Sequence, residues 1–194
     1  MGSAQSGGSP RTVGLPGGVV GALEATAEEV DAVAARCERN DLGGLLIPRE
    51  NGVKVGLRRA GDAVSGVTLL NGATALQLQA FRSDGSRPWD AVRAEIRATV
   101  RWQGGEAEDW AGDAGVELRA TVPVTTPSGG WGMQTVRMLG CDGPGWLLRG
   151  VISGEGAAPD SRSSWVYETF FRIVVDSTSP VSGSGVAIEL RGDG

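Results

Sequence analysis

The sequence contains no histidine among its 194 residues. Histidine is the side chain most often used as a general base near neutral pH, and it is the commonest metal ligand. Its absence excludes Ser-His-Asp and Cys-His catalytic sites within one chain and argues against a zinc centre. No phosphate-binding loop or dinucleotide-type glycine pattern stands between a strand and a helix. We therefore expect no metal and no cofactor, and a non-enzymatic role is favoured while the question of a reaction stays open.

Cysteine, lysine and long apolar runs are also scarce. Cys37 and Cys141 are the two cysteines, and their spacing matches no disulfide framework, zinc site or redox motif. No run approaches the roughly 20 apolar residues of a membrane span, and the start of the chain lacks the order of a signal peptide. The net charge of −5 opposes attraction to nucleic acid or to an anionic membrane. These absences predict a cytoplasmic protein with neither nucleic acid nor membrane as a partner.

The composition is that of an ordinary globular domain. Hydrophobic residues make up 40% and charged residues 21%, and the length suits a single core. Glycine, serine and proline concentrate at both ends, in segments with little apolar surface to offset the entropy of ordering. The sequence predicts flexible tails at residues 1–21 and 177–194 and one domain at 22–176.

Hydrophobic periodicity predicts the elements of the first half. Thr26 and Glu29 form a capping-box pattern, which predicts a short helix over 27–38. An extended segment follows at 42–48, and alternating apolar residues predict strands at 53–58, 67–69 and 76–79. Asn71-Gly72 predicts a tight hairpin turn between the last two strands, so these strands should pair antiparallel.

The second half repeats this order in looser form. Trp89, Val92, Ile96 and Val100 recur at helical spacing and predict a helix to about Trp102. Alternation then predicts strands over 116–122, 136–138 and 147–152, and a last helix follows over about 165–174. The acidic run before the fourth strand, Glu106, Glu108, Asp109 and Asp113, is typical of a solvated loop.

The order of these elements predicts the fold class. Three-stranded runs separated by single helices are typical of an antiparallel sheet rather than of alternating parallel units. We predict an α+β fold with about six antiparallel strands, helices on one face, and the order α-βββ-α-βββ-α. The other face of this sheet should be half-exposed.

Four segments together resemble one protein family. They are Asp41-Leu-Gly-Gly-Leu-Leu-Ile-Pro48, Ala75-Leu-Gln-Leu-Gln-Ala-Phe81, Trp89-Asp-Ala-Val-Arg93 and Trp146-Leu-Leu-Arg-Gly-Val-Ile-Ser-Gly154. Over about residues 41–176 the chain resembles the actinobacterial family called domain of unknown function 3710. The resemblance implies a bacterial, cytoplasmic domain and supplies no active site. The element order is also similar to Mog1/PsbP-like and secretion-chaperone-like folds, which are largely interaction modules.

Strand parity gathers the candidate binding residues. If Leu118, Val136 and Val151 face the helices, then Arg119 and Arg137 point to the opposite face, and Arg149 joins them only if the register after Gly145 allows it. The candidates on that face are Arg119, Arg137, Arg149, Gln77 and Gln79, with Lys54 and Thr121 beside them. Guanidinium groups bind carboxylate and phosphate bidentately, although the pattern alone favours an ordinary solvated face with pairs between arginine and Glu117.

The sequence contains six tryptophans and a single tyrosine, Tyr167. Trp89 and Trp165 open predicted helices and should face the sheet. Trp131 follows a glycine turn and is a candidate interface residue, because an exposed indole suits an interface.

Two functions from different classes fit these patterns. The first is a non-enzymatic protein-binding or assembly module, in which a protein partner or a second copy covers the exposed sheet face. The alternative is a small-anion sensor or enzyme with an arginine-lined site for a carboxylate or phosphate.

Overall fold

The fold is dominated by antiparallel β-structure. The computed structural model describes residues 39–126, 128–161, 163–176 and 185–191, together with the backbone of 11–13 and 23–25. The strands are β1 Arg11–Val13, β2 Leu23–Ala25, β3 Arg39–Asp41, β4 Leu45–Pro48, β5 Lys54–Ala60, β6 Ala63–Asn71, β7 Thr74–Arg82, β8 Glu106–Gly112, β9 Gly115–Thr125, β10 Trp131–Gly143, β11 Trp146–Gly154 and β12 Val174–Val175. The helices of the described residues are α1 Trp89–Trp102, α2 Ser164–Phe171 and a 3-10 turn at Glu155–Ala157.

Seven strands form the main sheet, in the order β5-β6-β7-β11-β10-β9-β8, and every neighbouring pair is antiparallel. A three-stranded sheet has the order β12-β4-β3, and β1 pairs with β2. The predicted mixture of helices with a mostly antiparallel sheet is confirmed. The predicted order of six strands is not, because β8 joins the main sheet and 42–48 contributes to a second one.

Local signals located several elements well. The helix predicted to run from Trp89 to about Trp102 has those bounds in α1. Asn71 ends β6 and pairs with Thr74, so the tight turn between β6 and β7 consists of Gly72 and Ala73, one residue later than the Asn-Gly pattern predicts. Gly72 has a φ of +57°, a conformation that glycine adopts without the cost of a Cβ clash. The helix predicted over 27–38 lies outside the described residues.

The acidic run before the fourth predicted strand is a strand and not a loop. Glu106, Glu108 and Asp109 lie on β8, the edge strand that pairs with β9. Charged side chains are common on edge strands, where they face water and oppose pairing with another chain. The hydrophilic composition therefore concealed a strand.

The two helices pack against opposite faces of the main sheet, contrary to the prediction. A Cβ at Gly150 would lie 3.1 Å from the ring of Phe170 in α2, and a Cβ at Gly140 would lie 2.1 Å from the indole of Trp89 in α1. Leu139 pairs with Gly150 in the ladder, and the next pair is Gly140 with Arg149. Because successive residues of a strand face opposite ways, α2 and α1 lie on different sides.

We call the side that α2 covers the inner face. Its buried residues form one large apolar cluster with α2 and with β4 and β12, and the cluster includes Leu45, Ile47, Leu76, Leu78, Leu148, Ile152 and Phe170. The other side is the outer face. There α1 and the outer side of β8, β9 and β10 enclose a smaller cluster of Val100, Ala107, Leu118, Ala120 and Val136.

Helix α1 is fixed to the outer face at its first residue. The Trp89 backbone N–H donates to both carboxylate oxygens of Asp142 at 2.9 Å, and the Trp89 indole N–H donates to the carbonyl of Val116 at 2.8 Å. The Asp142 carboxylate thereby satisfies one of the N–H groups that a helix start leaves without a partner. Burial raises the pKa of Asp142, and this hydrogen bond opposes the rise.

Part of the predicted C-terminal tail belongs to the packed domain. Residues 185–191 bridge β6 and β7: the Ile188 N–H donates to the Ala80 carbonyl at 2.8 Å and the Leu190 N–H to the Val64 carbonyl at 2.9 Å. Ile188 and Leu190 are buried in the inner cluster. Two apolar side chains within a polar, glycine-rich segment were too weak a signal to predict this strand-like contact.

Replacing Gly140 by alanine should destabilise the domain, because the new Cβ would lie 2.1 Å from the Trp89 ring. Such overpacking typically costs about 1–3 kcal/mol of unfolding free energy. Urea denaturation measures the loss. Gly56→Ala is the matched control, since the nearest atom to its Cβ, the Thr68 carbonyl oxygen, is 3.8 Å away, and we expect a change within about 0.5 kcal/mol. Equal losses in the two variants would contradict the seating of Trp89 on Gly140.

Candidate functional site

The arginines predicted to share one exposed face are divided between the two faces. Arg119 on β9 and Arg137 on β10 are directly paired, and Arg137 is also paired with the buried Ile152 of β11. Arg119 and Arg137 therefore lie on the inner face, beside the core. Arg149 lies on the outer face, where its ladder partners are Gly140 and Gln79. The prediction failed because the strand positions taken to face the helices face α1 only, and α2 covers the other side.

Arg137 belongs to a buried polar network on the inner face. Its Nε and Nη2 donate to Oε2 of Glu117 at 3.2 and 2.9 Å, and its guanidinium also contacts the Tyr167 hydroxyl. The Tyr167 hydroxyl donates to Oε1 of Glu117 at 2.7 Å. Glu117 is fully buried and Arg137 is 4% exposed. The three side chains join β9, β10 and α2 in one charge-compensated cluster.

Burial raises the pKa of Glu117. The loss of water around the carboxylate is the main cause, while the charge and hydrogen bonds of Arg137 and the charge of Arg119 oppose the rise. The neighbouring Gly112 leaves room for this carboxylate, because a Cβ at that position would lie 1.9 Å from Oε1. The site for Glu117 is thus built by a small residue on β8 as well as by its two hydrogen-bond partners.

Arg119 is a guanidinium with a different environment. Its Cζ lies 3.7 Å from the centroid of the Trp110 ring, a cation–π geometry. Within the described residues it makes no hydrogen bond and no ion pair, and its Nε is enclosed. It lies between two clefts of about 550 and 530 Å³, both of which it lines together with Pro159.

The larger of these clefts lies between the end of the β8–β9 hairpin and the segment that leads into α2. Its remaining polar lining consists of Asp113, Arg137, Asp160, Ser161, Ser164 and Tyr167. The buried network therefore forms one wall of a cleft large enough for a small molecule.

The outer face is open where α1 does not cover it. On β7 buried and half-buried residues alternate, and the half-buried set includes Gln77 and Gln79. We call the outer-face side chains of β5, β6, β7 and β11 the open half-face; its polar members are Lys54, Arg58, Thr68, Gln77, Gln79, Arg149 and Ser153. Of the predicted candidates, the structure places Arg149, Gln77 and Gln79 here.

Arg149 is the most buried cation of the open half-face. Its Nη2 donates to the Gln79 side chain, its Cζ lies 5.0 Å from the centroid of Phe81, and its Nε has no hydrogen-bond partner among the described residues. Burial and the nearby charge of Arg58 both lower the pKa of Arg149. Arg58 itself donates to the Gln77 side chain.

Trp131 lies apart from both sites. It is the first residue of β10, pairs with Thr125, and is 84% exposed. The structure therefore brings it together with none of the other predicted residues. In the described ranges, no three acidic or cysteine side chains form a metal-binding cluster, and no helix is long and apolar enough to cross a membrane.

Sequence reasoning missed the roles of Trp110, Tyr167 and Arg58. Trp110 and Arg119 are not paired in the β8–β9 ladder, so pairing alone does not predict their contact. Tyr167 is 50 residues from Glu117 in the sequence. The signal for Arg58 was present in the alternation of β5, which places it on the same side as Lys54. Nothing local to Tyr167 indicated a buried carboxylate.

Comparison with protein families identifies the chain's relatives. A sequence model described as "Protein of unknown function (DUF3710)" matches residues 24–190. The chain belongs to this family. The DUF3710 match confirms the resemblance seen over 41–176 and extends it at both ends, through the described segment 185–190.

Other comparisons add little beyond the family. No curated protein matches this DUF3710 chain. It is similar to the solution structure of cyanobacterial PsbP (CyanoP) from Synechocystis sp. PCC 6803, with 12% sequence identity and a TM-score of 0.41. The alignment covers 90% of this chain and 98% of that one.

Removing the partner of the buried carboxylate should make the stability strongly dependent on pH. In Arg137→Met, Glu117 loses the charge that lowers its pKa, so the folded state holds a proton that the unfolded chain releases. The unfolding free energy should fall as the pH rises above 4.5, the ordinary value for the carboxyl group, with a loss of about 3–5 kcal/mol near neutrality.

The double variant Glu117→Gln/Arg137→Met is the control for this experiment. It removes both charges, so it should lose less stability and should not share the pH dependence. Urea denaturation between pH 4 and pH 8 measures both. A single variant as independent of pH as the double variant would contradict the pairing of Arg137 with Glu117.

Proposed function

We propose that this chain is a non-enzymatic protein-binding module whose partner places an acidic segment on the open half-face. The observation that carries the proposal is Arg149, a partly buried guanidinium with no carboxylate partner among the described residues. Its hydrogen-bond partner there is the neutral side chain of Gln79.

An uncompensated charge in this position is costly to the isolated chain. Burial removes water from the guanidinium, and the like charge of Arg58 adds repulsion; both effects are seen in the lowered pKa of Arg149. Lys54 lies on the same side of β5 as Arg58. A carboxylate brought by a partner would compensate these charges, so charge complementarity selects an acidic segment as the occupant.

The shape beside Arg149 suits an acidic side chain. A recess of about 150 Å³ lies between α1 and the sheet, with an apolar lining from Phe81, Val92 and Leu147. Arg149 and Arg87 also line it, and Arg87 is paired with Glu95. The methylene groups of a glutamate can pack on the apolar part while its carboxylate faces Arg149.

A free small anion is the second candidate for the same recess, since the guanidinium does not distinguish a side-chain carboxylate from a soluble one. The partner proposal is favoured because the cations extend along the open half-face from Arg149 to Arg58 and Lys54, beyond the reach of a small molecule in a 150 Å³ recess. For the compartment we propose the cytoplasm, in keeping with the free thiol of Cys141.

The test is binding of a fluorescein-labelled hexaglutamate peptide, followed by fluorescence anisotropy, with a hexaglutamine peptide as the neutral comparator. We expect Arg149→Gln to weaken hexaglutamate binding about tenfold, the value of one charge-assisted hydrogen bond. Arg58→Gln should weaken it less, because Arg58 is exposed. Arg101→Gln is the matched control: it removes an arginine near the other end of α1, and binding should not change.

Two results would overturn the proposal. Hexaglutamine binding as tightly as hexaglutamate, or an unchanged affinity in Arg149→Gln, would show that charge complementarity at the open half-face is not used. Glutarate binding as tightly as the peptide and competing with it would instead support the small-anion function.

A further inference from the structure

A second site lies on the inner face, in the 550 Å³ cleft beside Arg119, and it is independent of the open half-face. The cleft has the volume of a small-molecule site. Its residues come from separate parts of the chain: the β8–β9 hairpin with its turn, β10, the segment that leads into α2, and α2 itself. Such convergence of polar groups on one cleft is what a binding site requires.

Arg119 differs from Arg137 in its hydrogen bonds, although the charges of both arginines attract the Glu117 carboxylate. The neighbouring Arg137 has its donors occupied by Glu117, Tyr167 and, at 3.5 Å, the Ser161 carbonyl. Arg119 makes no hydrogen bond or ion pair within the described part of the chain, and its Nε is enclosed. Its two terminal nitrogens are therefore the donors that a ligand can reach, and two parallel N–H groups fit a carboxylate.

The Trp110 ring fixes the direction of these donors. With Cζ 3.7 Å from the ring centroid, the guanidinium is held by a contact that consumes none of its hydrogen-bonding capacity. A donor held in place loses less entropy when a ligand binds than a free arginine side chain would. The stacking thus prepares Arg119 for binding.

The remaining charges of the cleft decide the kind of ligand. Asp113 and Asp160 line the same cleft as Arg119, while Glu117 compensates Arg137. One cation and two carboxylates remain, so a multiply charged phosphate would meet a net negative wall. A ligand with one carboxylate and one or more cationic groups would complement both signs.

We propose that this cleft binds a free amino acid, with its carboxylate on Arg119 and its cationic groups towards Asp113 and Asp160. Basic amino acids should bind best, because they bring one carboxylate and two cations to one arginine and two aspartates. Ser161 and Ser164 supply further polar groups along the wall.

Isothermal titration calorimetry with L-arginine and agmatine tests the proposal most directly. Agmatine is L-arginine without its carboxylate, so the pair isolates the group assigned to Arg119. We expect L-arginine to bind about tenfold more tightly than agmatine. L-alanine should bind more weakly than L-arginine, and acetate and inorganic phosphate should bind weakest.

Variants assign the contacts. Arg119→Gln should abolish the preference for L-arginine over agmatine. Arg119→Lys should keep part of this preference, because lysine has the positive charge but lacks the two parallel N–H donors of the guanidinium. Asp160→Asn should weaken the binding of L-arginine more than the binding of L-alanine. Arg101→Gln, in the neighbouring 530 Å³ cleft, and Arg149→Gln, on the other face, should leave the titration unchanged, which separates this site from the proposed protein-binding surface.

Several outcomes would overturn the inference. They are equal binding of agmatine and L-arginine, tighter binding of phosphate than of any amino acid, no measurable heat with any probe at millimolar concentration, or an unchanged preference in Arg119→Gln. Because Arg119 makes no hydrogen bond with the described residues, its variants should fold normally, and circular dichroism checks that they do.

Discussion

The buried carboxylate of Glu117 is the constraint on which the arrangement of the inner face depends. A fully buried charge requires compensation, and here Arg137 of the neighbouring strand and Tyr167 of α2 supply it. This requirement ties α2 to the sheet at a polar point within an otherwise apolar contact. The hydrogen bonds to Glu117 give Arg137 a structural role. Arg119, directly opposite in the ladder, makes no hydrogen bond or ion pair in the described part of the chain, although its charge also attracts Glu117.

The two faces of the sheet then divide the candidate functions. The inner face carries the large core and, beside the start of α2, a cleft with mixed charge. The outer face carries α1 on one half and an open, cationic half on the other. An overall charge of −5 gave no warning of a cationic surface, because net charge does not report how charges are distributed over a fold. The functional candidates lie where the two helices leave the sheet uncovered.

Much of the secondary structure could be predicted from local patterns. The period of apolar residues located α1, and an Asn-Gly pair located a hairpin, because both depend on neighbours within a few residues. β8 was missed because an edge strand can be as hydrophilic as a loop. Strand parity correctly put Arg119 and Arg137 on the side opposite Leu118 and Val136. It did not predict that α2 covers that side, or that Arg149 shares the other side with Val151.

The sequence by itself determined α1, the β6–β7 hairpin, the antiparallel character of the sheet and membership of the DUF3710 family. Only the tertiary structure decided which side of each strand is covered, because alternation divides residues into two sets without saying which set a helix will cover. Two glycines leave room for the helices: Phe170 of α2 packs on Gly150 and Trp89 of α1 packs on Gly140, on opposite sides of the sheet. The contact between Glu117 and Tyr167 spans 50 residues and depends on that packing, so no local pattern could contain it.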